Sequence, residues 1–391
     1  MSYQAIVIGA GLSGAVMAER MASQLGWRVL VLEQRSHLAG NCFDELDAAG
    51  VLIHRYGPHL FHTDKPAVAD YLSQFTQWHP YEHRVLSRID GQLVPLPFNL
   101  TSIERCFPGE KGSQLAAALL ARFGDGARVP ILSLRQEADP LLQELAEFIY
   151  QKAFVNYTSK QWGVAPEAIS PEVTARVPVV VSRDDRYFTD PFQAVPQQGY
   201  SAMVAAMLAH PMIELQLETP MAARITLDWQ GEQLLLDGEP FAGPVVYTGM
   251  LDQLLPDGEP LPYRSLRFEH RHLGMPQFQP VTTVNYPNEE AYTRITEFKH
   301  LTGQEHPGTS IVYEYPCDYQ PEQGLDPYYP LFTEAAQARY AACRSRLACF
   351  PRLLMLGRLA EYRYFDMDDA VDNALHCFTG LLSTQQGGLN E

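Results

Sequence analysis

"AIVIGAGLSGAVMAERMASQLGWRVLVLEQ", Ala5 to Gln34, reads as a strand, a tight glycine turn, an amphipathic helix and a second strand. Ala5 to Ile8 is a short apolar run suited to a buried parallel strand, and Ala15, Met17, Ala18, Met21 and Leu25 recur behind it at helical spacing. Gly9, Gly11 and Gly14 lie between in the pattern GxGxxG, with Leu12 and Ser13 inside it. Gly9 permits the turn, Gly11 lets a pyrophosphate approach the backbone at the helix N-terminus, and Gly14 lets helix and strand pack closely. Glu33 ends the second strand, where its carboxylate can accept both ribose hydroxyls of an adenosine. Strand, turn, helix, strand and terminal acid in this order predict a dinucleotide-binding unit. "EQRSHLAGN" follows at once, so that Gln34, Arg35 and the Gly40–Asn41 turn extend the nucleotide-contacting loop. By analogy with two-domain flavoproteins, that extension favours FAD over NAD.

The chain has 391 residues, 46% of them hydrophobic and 19% charged, which predicts a soluble globular protein of two or three packed units. A net charge of −17 argues against nucleic acid or an anionic membrane as partner, since the long-range field repels both. An anionic ligand must instead be met by locally placed arginines. No run of about 18 apolar residues is present to span a membrane, and the N-terminus enters a strand rather than a basic and then apolar leader. A cytoplasmic protein is expected. The six cysteines form no CxxC pair and read as reduced thiols.

Residues 99–176 carry helical stripes. "DPLLQELAEFIYQKAF" opens with Asp139 as N-cap and Pro140 in the first turn, and its apolar face is expected to be Leu141, Leu145, Phe148 and Ile149. From Arg264 to Pro316 the texture changes to short runs rich in Thr, Val, Tyr and Ile broken by Pro, Asn and Gly, which predicts antiparallel sheet. "GPVVYTG", with Tyr247, Thr248 and Gly249, and "LLMLGRLAEY", with Gly357 and Arg358, read as buried strands ending in glycine turns that return to the cofactor. The expected fold class is α/β: a discontinuous Rossmann-like FAD-binding domain (1–80, 205–260 and 331–391), a helical substrate domain with a mobile loop near its end (99–180), and an antiparallel sheet domain (81–98 and 261–330, with 181–204 as sheet and loop).

"IHRYGPHLFHT", Ile53 to Thr63, concentrates three histidines. His59 and His62 are three apart with no acidic or thiol partner at ligand spacing, so no metal site is expected.

Several stretches in order carry a resemblance: "VIGAGLSGAV" with "VLEQR", "IHRYGPHLFHT", "NYTSKQWG", "AYTRITEFKH", "EYP" and "GRLAEYRYFDM". Over nearly its whole length the chain resembles the bacterial UDP-galactopyranose mutase family. The resemblance implies an isomerase that interconverts UDP-galactopyranose and UDP-galactofuranose on reduced FAD, with NAD(P)H or another reductant as electron source and no net redox change. In the family mechanism N5 of the flavin attacks the anomeric carbon, UDP leaves, and the sugar ring recloses through a different oxygen. It also implies roles. His59 and His62 would lie near the flavin and the substrate face. Arg294 would hold the diphosphate, with Tyr315 and Tyr364 as phosphate-binding tyrosines. Tyr157 and Trp162 would stack on uracil, with Thr158 and Phe154 beside them, and Arg358, Asp366 and Met367 would stand where flavin and substrate meet. The partner is then UDP-galactose, and a homo-oligomer is expected.

One departure stands out. Relatives carry a second diphosphate arginine in a mobile loop, R-x-P-V-R, whereas Arg176 to Val181 here reads "RVPVVV", with Val180 in the arginine's place. Arg183 in "SRDDRYF" is the expected replacement, ahead of Arg186, and Tyr187 in the same stretch joins the expected substrate contacts. Three other readings stay open: an amine oxidase or desaturase-type flavoenzyme of the same architecture, a nonenzymatic flavin- or nucleotide-binding protein, and a mutase for a different nucleotide sugar such as UDP-N-acetylgalactosamine.

Overall fold

Every residue of the Ala5–Ile8 strand is buried, because strands flank both its edges and apolar side chains cover both its faces. Val29–Leu32 and Val245–Tyr247 pair with it in parallel, and Ile213–Gln216 and Leu353–Met355 complete a five-stranded sheet. One face is packed by the helices Leu12–Leu25, Tyr200–Leu208 and Met367–Gly387. The other is packed by Glu334–Leu347 and the short turn Leu251–Leu254. The sheet thus gathers strands from three separated stretches of chain, a discontinuous Rossmann-like unit. The computed structural model describes residues 2–163, 178–255, 257 and 259–387, apart from the side chains at 162 and 384–387.

A second sheet of seven strands runs in the order Tyr329–Pro330, Tyr263–Leu273, Thr309–Asp318, Arg294–Glu297, Thr283–Asn285, Val85–Ile89, Gln92–Leu96. Val85, Ile89, Val94 and Leu96 share a core with the helices Leu100–Cys106, Glu110–Phe123 and Pro140–Ile149. Asp139 caps the last of these by accepting the Leu141 N–H at 2.9 Å. Helical bundle and sheet therefore meet along one edge of the sheet, where Ser87 and Asn285 stand opposite each other.

Three details differ from the expectations. The sheet is not wholly antiparallel: Thr283–Asn285 runs parallel to Val85–Ile89, a pairing direction that strand composition does not encode. Residues 192–208 leave the seven-stranded sheet alone: Phe192–Pro196 pairs with Phe61–Thr63 and Trp78–Pro80, and Tyr200–Leu208 packs on the Rossmann-like core. Asp44 ties that helix down by accepting N–H from Tyr200 and Ser201. Finally, the buried stripe of the 140–149 helix is Leu142, Leu145, Ala146 and Ile149, while Leu141 is 37% exposed. The N-cap fixes the helix phase, and Leu142, not Leu141, stands three positions before Leu145 on the core side.

His54 and His83 are 2% and 5% exposed, and burial pushes both imidazoles down to about 3. His54 Nδ1 accepts the His59 N–H at 3.0 Å, which requires the neutral ring. The unfolded chain binds protons at these sites below about pH 6.5 and the folded chain does not. Their contribution is fully present above that pH and declines as pH falls toward 3, by up to about 1.4 kcal/mol per pH unit for each ring. Thermal unfolding should give a melting temperature that is flat from pH 8 to 7 and falls steadily below about pH 6.5; a flat profile down to pH 5 would show that neither histidine is linked to folding.

Candidate active site

The helix Leu12–Leu25 starts at Gly11 with no side-chain cap and no acidic residue in its first turn. Gly11, Leu12, Ser13 and Gly14 border a cavity of about 630 Å³, so the uncapped helix end offers N–H groups and a positive dipole to an anion. Gly9 sits at φ +103°, and a β-carbon there would collide with Thr248 Oγ1. One on Gly14 would strike the carbonyl oxygen of Gly9, which keeps helix and strand in close contact. Glu33 is 5% exposed; its Oε2 accepts the Ala10 N–H and its Oε1 the Arg35 N–H, both at 2.8 Å. Each oxygen retains a lone pair for a ribose hydroxyl. Gln34, Arg35, Gly40 and Asn41 line the same cavity, joined by Tyr247, Thr248, Gly249, Gly357, Arg358, Asp366 and Met367 from the two later returns of the chain. An uncapped helix end for a pyrophosphate and a carboxylate for a ribose fit the centre and one nucleoside of a dinucleotide, and the volume lies within the roughly 300–1,000 Å³ of small-molecule sites.

His59 lines this cavity as well. Its Nδ1 lies 2.9 Å from the Gly57 carbonyl oxygen, so Nδ1 carries the hydrogen and Nε2 is left as an acceptor. Burial, reinforced by His54, lowers it to about 3 and keeps it neutral.

Beside the cavity, four side chains stand opposite one another on adjacent strands: Ser87, Asn285, Arg294 and Glu314. At about 4.8 Å per strand the row is roughly 14 Å long. Arg294 Nε is 3.3 Å from Glu314 Oε2, and Nη2 donates to Tyr157 Oη at 2.7 Å. Burial alone would lower the guanidinium's pKa; Glu314, Tyr157, Tyr329 and Tyr187 more than reverse this and hold it well above the usual range. Arg294 is a permanent cation. Burial raises Tyr157 against the pull of Arg294, and it pushes Tyr329 up to about 12, so both phenols stay protonated donors. Tyr329 and Tyr364 lie parallel, 6.2 Å apart, with the Arg358 guanidinium 5.7 and 5.1 Å from their rings. Phe154, Tyr157, Thr158 and Tyr187 gather around a second cavity of about 110 Å³, which Ser87 and Asn285 also line. A π-helical stretch, Tyr150–Val155, leads into the helix Asn156–Trp162, and its wider turn sets the phase in which Tyr157 and Thr158 reach this cavity.

Other expected residues fall elsewhere. Arg183 does not reach either cavity: its two Nη groups donate to Glu104 at 2.7 and 2.5 Å on the surface. Arg186 is likewise held by Asp184 at 2.7 Å and Glu82 at 3.6 Å. Each guanidinium is paired with a carboxylate at the surface, and neither borders the two cavities. Val180 is buried in a strand pair with Arg128, while Arg176 and Val177 lie outside the described residues. The Trp162 side chain lies outside them too. Tyr315 points to the opposite face of its strand from Glu314; its hydroxyl donates to Glu269 at 3.2 Å under the Arg267 guanidinium. The tyrosine beside Arg294 that the sequence reading missed is Tyr329, whose only signal was the aromatic pair in "DPYYP". His62 projects opposite the buried Phe61 and Thr63 and does not line the larger cavity; it stacks on Phe188 at 3.6 Å and meets Asp190 at 3.1 Å. His83 lies beyond Phe188, within the influence of Arg294.

Comparison with known proteins agrees with this geometry. The family model described as UDP-galactopyranose mutase matches residues 152–364, and one for an NAD(P)-binding Rossmann-like domain matches residues 7–75. A UDP-galactopyranose mutase of Mycoplasma pneumoniae is 36% identical, with 95% of this chain and 94% of that protein covered. A dTDP-fucopyranose mutase of Escherichia coli is 32% identical, covering 95% and 96%. The crystal structure of a reduced UDP-galactopyranose mutase superposes with a TM-score of 0.74 at 16% identity, over 98% of this chain and 96% of that one, which is a likeness of fold.

Exchanging Glu33 for Gln replaces one acceptor oxygen by a donor that must face a backbone N–H or a ribose hydroxyl. Glu33→Gln should purify with flavin content reduced by at least about tenfold at equal protein concentration, read from visible absorbance, in line with leaving buried polar groups mismatched. Arg183→Ala should bind flavin as the unsubstituted protein does and lose less than about twofold in activity, as befits an exposed ion pair.

Proposed function

The chain belongs to the UDP-galactopyranose mutase family, and on that premise we propose that it is an isomerase that interconverts UDP-galactopyranose and UDP-galactofuranose with bound, reduced FAD and no net oxidation. The observation that carries this reading is Arg294, a half-buried permanent cation ringed by Tyr157, Tyr187 and Tyr329 beside the cofactor cavity. An amine oxidase or a desaturase would need an apolar or amine-binding chamber there, and a guanidinium among phenols suits neither.

FAD, when bound, would supply the electron-rich nucleophile for covalent catalysis at the anomeric carbon. Gly9, Gly11, Gly14 and Glu33 would hold its dinucleotide portion, with Arg358, Asp366, Met367 and His59 around the ring system. The protein's own work is then to bind, orient and neutralise. Arg294 would hold the diphosphate and gain strength as charge accumulates on it when the bond to the sugar breaks. The phenols of Tyr157, Tyr329 and Tyr364 would donate hydrogen bonds to the same oxygens. His59, fixed as the Nδ1–H form, would accept from a substrate hydroxyl or a flavin N–H through Nε2. His62 and Asp190 would stand on the substrate side. Phe154, Thr158 and Trp162 would complete the nucleoside pocket.

Incubation of the dithionite-reduced protein with UDP-galactopyranose should yield UDP-galactofuranose by chromatography, and the oxidised protein should yield almost none. A reaction that consumes oxygen with an amine would point to an oxidase instead, and turnover of a deoxythymidine diphosphate sugar alone would move the substrate within the family. Arg294→Lys keeps a charge beside Glu314 but loses the planar fork; it should retain flavin and lose about tenfold or more in kcat/KM.

A further inference from the structure

The helix Met367–Gly387 begins at the wall of the larger cavity: Asp366, Met367 and Ala370 all border it, and the Ala370 N–H donates to the Asp366 carbonyl at 3.1 Å. With Glu33 suited to a ribose and the Gly11 turn to a pyrophosphate, this end of the cavity is left for the ring system. The start of a long helix turns a positive dipole toward it. Yet the first turn also carries two acids, Asp368 and Asp369, and Asp372 follows one turn on. Three carboxylates at that place oppose the dipole.

Lys65 meets all three. It follows the Phe61–Thr63 strand, and its ammonium lies 2.5 Å from Asp369, 3.3 Å from Asp368 and 3.9 Å from Asp372. Asp368 is 7% exposed and also accepts the Thr63 hydroxyl at 2.9 Å; Thr63 Oγ1 in turn accepts the Lys65 N–H at 3.0 Å, which fixes the lysine backbone beside the helix. Asp369 turns its other oxygen to the Asp366 N–H at 3.3 Å. Burial alone would lower the ammonium's pKa; Asp369 and Asp368 more than reverse this, so the lysine is charged at neutral pH. Lys65 itself does not border the cavity.

We propose that Lys65 sets the reduction potential of the bound flavin by offsetting the carboxylates at the start of this helix. The inference rests on the flavin reading given above. Reduction adds two electrons and, at neutral pH, one proton, so the ring gains one negative charge. In a chain of net charge −17 that charge is disfavoured unless nearby cations and dipoles oppose the acids around it. Removing the ammonium leaves the three carboxylates to act on the reduced ring, while the neutral oxidised ring is little affected. The potential, which measures the difference between the two states, therefore falls.

The test is a titration of the purified holoprotein with dithionite beside a redox dye, which gives the ratio of reduced to oxidised flavin from visible absorbance. At a fixed potential Lys65→Met should lower that ratio by about three- to tenfold, a drop of about 14–30 mV for a two-electron couple. Lys65→Arg, which keeps the charge, should stay within about twofold of the unsubstituted protein. Asp369→Asn removes a carboxylate and should raise the ratio by about threefold or more. A lysine that only braces the helix would lower the melting temperature of Lys65→Met and leave the potential of its bound flavin unchanged, and that result overturns the proposal. So does a ratio that moves the same way in Lys65→Met and Asp369→Asn. Where Lys65→Met does not keep its flavin, Asp369→Asn decides alone, and an unchanged ratio there overturns the proposal. An unsubstituted protein that takes up no flavin on incubation with FAD would instead remove the cofactor reading, and this inference with it.

Discussion

The Ala10 and Arg35 N–H groups donate to the two oxygens of one carboxylate, Glu33, and much of the architecture is tied to that arrangement. It closes the glycine turn onto the end of the second strand and directs Arg35 outward. The Arg35 guanidinium then donates to Asn41 at 3.0 Å and Asp326 at 2.6 Å and lies over the Tyr56 ring at 4.7 Å. Asp326 is three residues before Tyr329, so the segment that carries Glu33 is linked to the one that carries a phenol to Arg294. A partly buried ion pair of this kind adds little net stability, but it fixes geometry, because either partner alone would be left with an unmet charge.

On the substrate side the governing element is the row Ser87, Asn285, Arg294, Glu314. Its members sit on strands, whose positions are set by backbone pairing, so the spacing between them does not depend on loop conformation. The chemistry follows from the pKa directions. A guanidinium held far above neutrality and phenols raised by burial exchange no protons under working conditions, so this group acts through charge and hydrogen-bond donation.

Much of this was legible in the sequence, for identifiable reasons. The residues expected at the cofactor belong to turns and strand ends, where local sequence dictates backbone shape; all those named from Gly9 to Met367 meet at one cavity. The residues expected at the substrate and borne on strands depend on pairing partners far along the chain. Strand side chains alternate, so the neighbours in "EYP" part: Glu314 stands opposite Arg294, while Tyr315, named from the family resemblance, turns to Glu269. Tyr329 enters from an edge strand of two residues, too short to leave a periodic signal. Arg183 was singled out by proximity to a lost arginine, but Glu104, which captures it, is 79 residues away.

The Met367–Gly387 helix lies against Leu12–Leu25, and the fifth strand of the parallel sheet is Leu353–Met355. As the chain emerges from the ribosome, the first strands and helix are made early, but the surfaces that cover them come last. The apolar side of the Leu12–Leu25 helix that Met367–Gly387 covers must therefore wait through most of synthesis without its final neighbour. Sequence separation of this size slows folding, because the loop must close before the contacts repay it. Nascent chains interrupted anywhere before residue 353 would lack the sheet's fifth strand and the helix that packs on Leu12–Leu25, and the cell's chaperones would meet this protein as an unfinished sheet, not as a finished first domain.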